Sequence, residues 1–278
     1  MSDNWTGFSE AELERYSRQL LLKEVGGKGQ RKLREARVLV VGAGGLGSPV
    51  IAYLAAAGVG TLGVVDFDRV ELSNLQRQIL HRTEDVGRPK AESAARAVKA
   101  LNPGVEVAVH RARLGQDNVR DLIGGYDLVI DGVDNFASRY LLNDACVMAK
   151  KPLIEAGILR FDGMIMTIKP GEGPCYRCVF PDPPPPGAVP SCQEAGVIGA
   201  VAGVMGVLQA NEALKLILGI GEPLVGRMLV FDALAASFRE IALKRQPTCR
   251  VCGEEPAITE LVEYQLACEL QRRGEAHE

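Results

Sequence analysis

Between residues 37 and 66 the chain alternates apolar runs with small residues: RVLVV (37–41), GAGGLG (42–47), SPVIAYLAAAGVG and TLGVVD (61–66). Short hydrophobic runs bounded by glycine read as buried strands, and the apolar residues after Ser48 keep helical spacing up to a glycine stop at Gly58. The stretch is therefore predicted as one compact βαβ unit. Upstream, Ser9 stands three residues before Glu12 as in a capping box, and Leu13, Tyr16 and Leu20 recur at helical spacing, predicting an amphipathic helix over 9–24. Downstream, GRPKAESAARAVKALN reads as a helix, VEVAVH as a strand, YDLVIDGVDN as a strand ending in acids, and NFASRYLLNDACVMAK as a helix. Strand and helix alternate, which predicts a parallel sheet with helices on both faces. Past about residue 160 the rhythm changes: GMIMTIK reads as a strand, 198–218 as a long helix bearing Gly and Ala, and RMLVFDALAASFREIALK as two closing strands. No internal repeat is evident. The prolines of PDPPPPGAVP (181–190) rule out helix or central strand and predict an extended, exposed loop.

Composition narrows the class. At 278 residues, 47% hydrophobic and 24% charged, the chain has ample material for a core, as one large domain or two small ones. A net charge of −3 gives no general attraction to nucleic acid or an anionic membrane, so an acidic ligand must meet locally placed cations. The start MSDNWTGFSE is not a charged-then-apolar leader, and no uncharged apolar run reaches the about 20 residues of a membrane span. No membrane association and a cytoplasmic location are expected. In a reducing compartment, seven cysteines point to metal or redox chemistry more than to disulfides.

Candidate chemistry sits at the strand ends. Gly42, Gly44 and Gly47 satisfy G-x-G-x-x-G between a strand and a helix, where bare N–H groups and the helix dipole receive a phosphate, and Asp66 ends the next strand, placed for ribose hydroxyls. Dinucleotide hydride transfer and ATP chemistry both fit; a glycine loop kept only for helix–strand packing is the bland alternative. Arg77 in ELSNLQRQ and Lys90 behind Pro89 tilt the choice. A lysine in a first helical turn opposes the helix dipole unless an anion offsets it, and a triphosphate carries enough charge to use both cations. In DGVDN (131–135), Asp134 and Asp131 are candidates to hold Mg²⁺ on nucleotide phosphates, while Asp134–Asn135 equally reads as a cap for a helix over 136–149. Cys175-x-x-Cys178 and Cys249-x-x-Cys252 form a pattern suited to a closed, structural four-thiolate zinc site. Cys192, in SCQEAG after the proline run, is a candidate nucleophile or a loop cysteine without a task. The expected fold class is α/β: a Rossmann-like, mainly parallel sheet with helices on both faces, continuing into an antiparallel C-terminal part clipped by zinc.

RYSRQ (15–19), VVGAGGLGSPV, VVDFDRVELSNLQRQ, DVGRPKAES, DGVDN, PCYRC, SCQEAG and CRVC occur in an order that resembles the MoeB/ThiF family, bacterial relatives of ubiquitin-activating enzymes, over nearly the whole chain. The resemblance implies that Gly45, Asp66, Asn74, Arg77, Lys90 and Asp134 bind Mg·ATP, with Asp134 on the metal and Asn135 beside it. It implies a homodimer in which Arg18 reaches the partner subunit's triphosphate, zinc on Cys175, Cys178, Cys249 and Cys252, and for Cys192 a role that differs among members. The reaction so implied is adenylation of the C-terminal Gly-Gly carboxylate of a ubiquitin-like sulfur carrier, serving molybdopterin, thiamine, cysteine or tRNA thiolation pathways. The implied layout is a single ATP-binding adenylation domain over 1–252, with a nucleotide-binding half (37–157), a carrier and zinc half (158–252) and a tail (253–278). A separate sulfur donor, a rhodanese or a cysteine desulfurase, is expected. Remaining alternatives are a family member acting on a non-carrier carboxylate or tRNA, an NAD-dependent dehydrogenase, and a non-enzymatic dimeric scaffold.

Overall fold

The computed structural model describes residues 7–185 and 195–262. The helix expected over 9–24 is two short ones, α1 (Glu10–Arg15) and α2 (Ser17–Leu20). Ser9 and Glu12 form both halves of the capping box, yet Tyr16 leaves helical geometry at φ −96°, ψ 9°. Its ring is buried and its hydroxyl accepts from Asn102 Nδ2 at 2.8 Å, so a tertiary contact breaks what periodicity joins. A third helix, α3 (Gly26–Glu35), follows, hidden from the sequence reading by its glycines. A Cβ on one of them, Gly29, would come within 3.0 Å of the Val25 and Leu218 side chains, which would have to shift to admit it.

The βαβ unit is β1 (Arg37–Val41), α4 (Gly47–Ala57) and β2 (Thr61–Val65); the strands pair in parallel, with Arg37 opposite Thr61 and Val41 opposite Val65. Gly58, left-handed at φ +83°, ends α4 as the glycine stop predicts. Next come α5 (Lys90–Leu101), β3 (Glu106–His110), a short α6 (Val119–Gly124), β4 (Leu128–Asp131), α7 (Phe136–Met148) and β5 (Leu153–Leu159). Then the chain reverses: β6 (Asp162–Ile168) runs antiparallel to β5, with α8 (Tyr176–Val179), the long α9 (Gly199–Leu218), β7 (Arg227–Asp232) and β8 (Ser237–Ala242) completing it. All eight strands form one sheet, in the order β3-β2-β1-β4-β5-β6-β7-β8. The parallel sheet of the expected Rossmann-like fold thus becomes antiparallel at β6.

Because successive strand residues face opposite ways, the sheet carries two cores. Val38, Val40, Leu62, Val64, Ile130 and Ile154 pack beneath α4, α5 and α9, while Leu39, Val41, Val65, Val129 and Leu153 pack beneath α6 and α7. Covering both faces lets these strands be hydrophobic without alternation. Helix α9 is long and apolar enough to cross a membrane by length and composition, but half of it is buried in the protein, against α4 and β5. Its buried Glu212 accepts from Thr167 Oγ1 at 2.7 Å, the contact of a core helix.

The switch between strand orders, with β1 beside both β2 and β4, leaves a crevice at the strands' carboxyl ends. Asp66, Arg77, Lys90, Asp134 and part of the glycine loop meet there.

Candidate functional site

The glycine loop folds tightly because two positions tolerate no side chain. Gly42 sits at φ +96°, a Cβ there would lie 2.6 Å from Gly132 O, and one on Gly47 would lie 1.8 Å from Gly42 O. Gly42, Gly44 and Gly45 lie on the wall of a cavity of 840 Å³, and Gly47 does not. Asp66 stands at one end of it: its Oδ2 accepts from Ala43 N–H at 2.8 Å and its Oδ1 from Asp68 N–H at 2.9 Å, locking the carboxylate against the loop. Burial nonetheless raises its pKa above the usual carboxylate range.

Two cations reach the same wall. Arg77 follows a short 3₁₀ turn (Leu72–Asn74) and donates from Nη1 to Ser73 O at 3.3 Å. The buried Asn74 shapes that turn, its Oδ1 accepting from Glu71 N–H at 3.2 Å, and does not line the cavity. Lys90 opens α5 as predicted, and the anion its position called for is already present: Nζ lies 3.1 Å from Asp68 Oδ2. His81, overlooked in the sequence, ties the loop to the same helix. Its Nε2 is 2.9 Å from Ala43 O, which can only accept, so Nε2 carries the proton and Nδ1 accepts from Ser93 Oγ at 2.8 Å. Burial lowers its pKa and keeps the ring neutral.

At the end of β4 the two aspartates part company. Asp131 is fully buried, accepting from Val133 N–H at 2.8 Å and from Arg139 Nε at 3.1 Å, while Glu155 approaches the same Nε at 2.6 Å. It is committed to Arg139 and is not a metal candidate, which corrects that expectation. Arg139 also donates to Val133 O (3.3 Å) and Ala156 O (2.8 Å), clamping the turn that carries Asp134. The cap of α7 is Asn135, whose Oδ1 accepts from Ser138 N–H at 2.9 Å, so Asp134 is left exposed on the cavity wall. One exposed carboxylate suits a hydrated Mg²⁺, which takes one or two carboxylates plus water and phosphate oxygens. Pro183, Pro184 and Pro185 also line the cavity, and next to Asp66 in sequence the Phe67 ring lies 4.6 Å beneath the Arg113 guanidinium. Arg18 is exposed on α2 and lies off this wall.

The two cysteine pairs come together as their spacing predicts. Cys175 Sγ lies 3.6 Å from Cys249 Sγ and Cys178 Sγ 3.4 Å from Cys252 Sγ, with all four sulfurs within 4.8 Å of one another, the one such group among the described residues. Four sulfurs at a Zn–S distance of about 2.3 Å stand roughly 3.8 Å apart, so the donor set fits zinc. Between the first pair, the buried Arg177 forks onto Asp144 of α7 at 2.8 and 3.0 Å. Tyr140, also on α7, sets its hydroxyl 3.0 Å from Phe180 O and 2.7 Å from Asp182 O. One helix thus carries the acidic turn at its start and anchors the cysteine cluster and the proline segment along its length. Cys192 and residues 186–190 of the expected loop lie outside the described residues.

A model of the ThiF family matches residues 16–251. The chain belongs to the ThiF family. It is 54% identical over 272 residues to a sulfur carrier protein adenylyltransferase of Thermus thermophilus, covering 96% of this chain and 99% of that one. It is 50% identical to the probable adenylyltransferase/sulfurtransferase MoeZ of Mycobacterium tuberculosis, over 95% of this chain and 67% of the relative. The mouse adenylyltransferase and sulfurtransferase MOCS3 is 52% identical over 94% of this chain, which spans only 57% of that protein. Among solved structures, Escherichia coli MccB with MccA-N7isoASN superposes with a TM-score of 0.77 at 25% identity, covering 89% of this chain and 76% of that one. The mixed sheet is the fold that the chain shares with this neighbour.

Proposed function

We propose that this protein is an adenylyltransferase that activates the C-terminal Gly-Gly carboxylate of a small ubiquitin-like sulfur carrier protein with ATP. The observation that carries this is the single cavity that joins Asp66, the glycine loop, Arg77, Lys90 and Asp134. ATP is the substrate whose parts match these groups: ribose at Asp66, phosphates along Gly42, Gly44 and Gly45 in a loop that Gly47 lets close, and the charge of the triphosphate on Arg77 and Lys90. The relation to the Thermus sulfur carrier protein adenylyltransferase over nearly its full length supports the choice of a carrier as cosubstrate.

In the proposed reaction the carrier carboxylate attacks the α-phosphorus, forming the acyl–phosphate bond as the bond to pyrophosphate breaks. No base is needed, since a C-terminal carboxylate is ionised at neutral pH; alignment and charge stabilisation are the protein's task. Lys90 leaves Asp68 for a phosphate, Arg77 meets the departing pyrophosphate, and Arg139 holds the Asp134 turn in register. Asp134 would hold Mg²⁺, which would supply neutralisation of phosphate charge, while Asn135 caps α7 next to it and Asn74 shapes the 72–74 turn that leads to Arg77. Arg18 acts from the second subunit of a homodimer. Zinc on Cys175, Cys178, Cys249 and Cys252 fixes the C-terminal half of one adenylation domain (1–252), with 253–278 as a tail, in a cytoplasmic enzyme supplied by a separate sulfur donor. Cys192 is the candidate nucleophile for capture of the activated carrier, its thiolate forming a thioester as the bond to AMP breaks and AMP departs; Cys192→Ala is expected to leave adenylation largely intact while lowering capture.

Carrier-dependent exchange of labelled pyrophosphate into ATP tests this, run with Gly-Gly carriers one at a time. Exchange driven by one carrier alone is expected; ATP binding without exchange for any carrier contradicts the carrier assignment.

A further inference from the structure

Asp131 and Glu155 are neighbours by register. Strands β4 and β5 pair in parallel with Ile130 opposite Ile154, so the next residue of each points to the same face of the sheet, toward α7. Helix α9 pins both backbones, Gln209 Nε2 donating to Asp131 O at 2.6 Å and to Ile154 O at 3.2 Å. Both acidic side chains are buried, and one guanidinium serves them: Arg139 Nε lies 3.1 Å from Asp131 Oδ2 and 2.6 Å from Glu155 Oε1. The titratable and charged groups that face Glu155 are Asp131 on β4, Arg139 on α7 and Tyr176 on α8. With both acids ionised, Arg139 offsets only one of them and an unbalanced charge is left in the interior, which is costly.

The two acids are not equivalent. Asp131 accepts from Val133 N–H and from Arg139 Nε, bonds that favour its charged form. Glu155, as a carboxylate, has no hydrogen-bond partner for either oxygen, although Asp131 stands within hydrogen-bonding reach. Two carboxylates can only accept, so their approach becomes a hydrogen bond when one of them carries a proton. Burial raises the Glu155 pKa well above the usual carboxylate range, by more than Arg139 lowers it, and Asp131 adds to the rise. A proton on Glu155 balances the cluster, one cation against one anion, and leaves Arg139 able to donate to Val133 O and Ala156 O as well.

We propose that Glu155 is a positioning residue that works as a neutral acid, its O–H donating to Asp131 so that the Asp131–Arg139 pair stays fixed and Arg139 keeps hold of the turn that carries Asp134. Its bearing on the reaction rests on the nucleotide site proposed above; its neutral state does not. Urea unfolding from mildly acidic to mildly alkaline pH, and the Mg²⁺ dependence of pyrophosphate exchange, test it on the full-length native protein, Glu155→Gln, Glu155→Leu and Asp131→Asn. The folded protein keeps a proton that the unfolded chain releases at the ordinary 4.5, so this acid lowers native stability as pH rises above that value. Glutamine has the same shape and its own donor for Asp131. Glu155→Gln should therefore match the native urea midpoint in mild acid and exceed it by a margin that grows with pH. Asp131→Asn, which removes the charge that Arg139 needs, should unfold at lower urea at every pH. Glu155→Leu fills the place without a donor and should need about threefold more Mg²⁺ for half-maximal exchange, the scale of one hydrogen bond, while Glu155→Gln keeps the native requirement. A Glu155→Gln protein that unfolds at lower urea than native at every pH has lost an ion pair, which overturns the neutral acid. Equal Mg²⁺ requirements in the leucine and glutamine variants overturn the positioning role. Exchange that no carrier drives in the native protein overturns the proposed reaction instead, and the unfolding comparison still decides Glu155.

Discussion

The two arginines at the ends of this molecule's chemistry, Arg77 and Arg177, show how differently its halves are built. Arg77 stands on a cavity wall with its guanidinium held by one carbonyl, Ser73 O. Arg177 is 3% exposed, forked onto Asp144 and bonded to Pro181 O at 2.8 Å. In the nucleotide half the backbone is set by a two-sided hydrophobic core, so polar groups at the strand ends are free to serve a ligand. In the C-terminal half β7 and β8 are poorly covered, with β8 exposed at nearly every residue, and order comes from sulfur, salt bridge and helix anchoring. A cation that faces solvent is there to be used, whereas one that is sealed and paired is there to hold.

Removing the metal should separate the halves most sharply. Chelation, or Cys249→Ser, is expected to raise hydrogen exchange throughout 175–180 and 246–258 and to abolish carrier-dependent exchange, because structural zinc contributes folding energy outright. Mg·ATP binding should persist; its loss in parallel would mean that the halves are not separately ordered. Arg177→Met comes next. It strands Asp144 in the interior and should cost about 3–5 kcal/mol in urea unfolding. Arg77→Met should leave stability unchanged and lower ATP affinity, and equal stability losses would erase the contrast between the two. For Asp134→Asn, pyrophosphate exchange should fall by about two orders of magnitude at an unaltered thermal midpoint; retained activity would move the metal elsewhere. The smallest effect concerns His81. Its folded pKa lies below the ordinary 6.5, so between the two values only the unfolded chain takes up the proton. The stability it supports is fully present above pH 6.5 and is lost as pH falls below that value. A thermal scan from neutral to mildly acidic pH should show a loss that is absent in His81→Gln, and parallel curves would remove His81 as the cause.

Features that depend on neighbouring residues were legible in the sequence. The strand–glycine loop–helix–strand unit is local, its glycines are dictated by backbone clearance, and Asp66 follows at a strand end. Each cysteine pair also shows itself by spacing, and pairing the pairs needed only the demand of zinc for four ligands. Partnerships created by topology stayed hidden. Asp131 and Asp134 are equivalent as letters in DGVDN, but the adjacency of β4 and β5 brings Glu155 and Arg139 onto Asp131 and buries it. His81 meets Ala43, and Gln78 meets Gly44, only because the 72–85 segment folds back over the glycine loop. Helix α3 defeated periodicity through its glycines, and the 9–24 helix was split by one buried tyrosine. The expected homodimer and the role of Arg18 draw on no contact within a single chain, and Arg18 is simply exposed on α2.

The central claim, that the cavity transfers AMP to a carrier's C-terminus, is tested most directly by intact-mass analysis of a Gly-Gly carrier after brief incubation with this protein and Mg·ATP. The account predicts a carrier heavier by one adenylyl group, formed only with ATP present and discharged by hydroxylamine. A carrier of unchanged mass, under conditions in which the protein binds ATP and the carrier together, would contradict it.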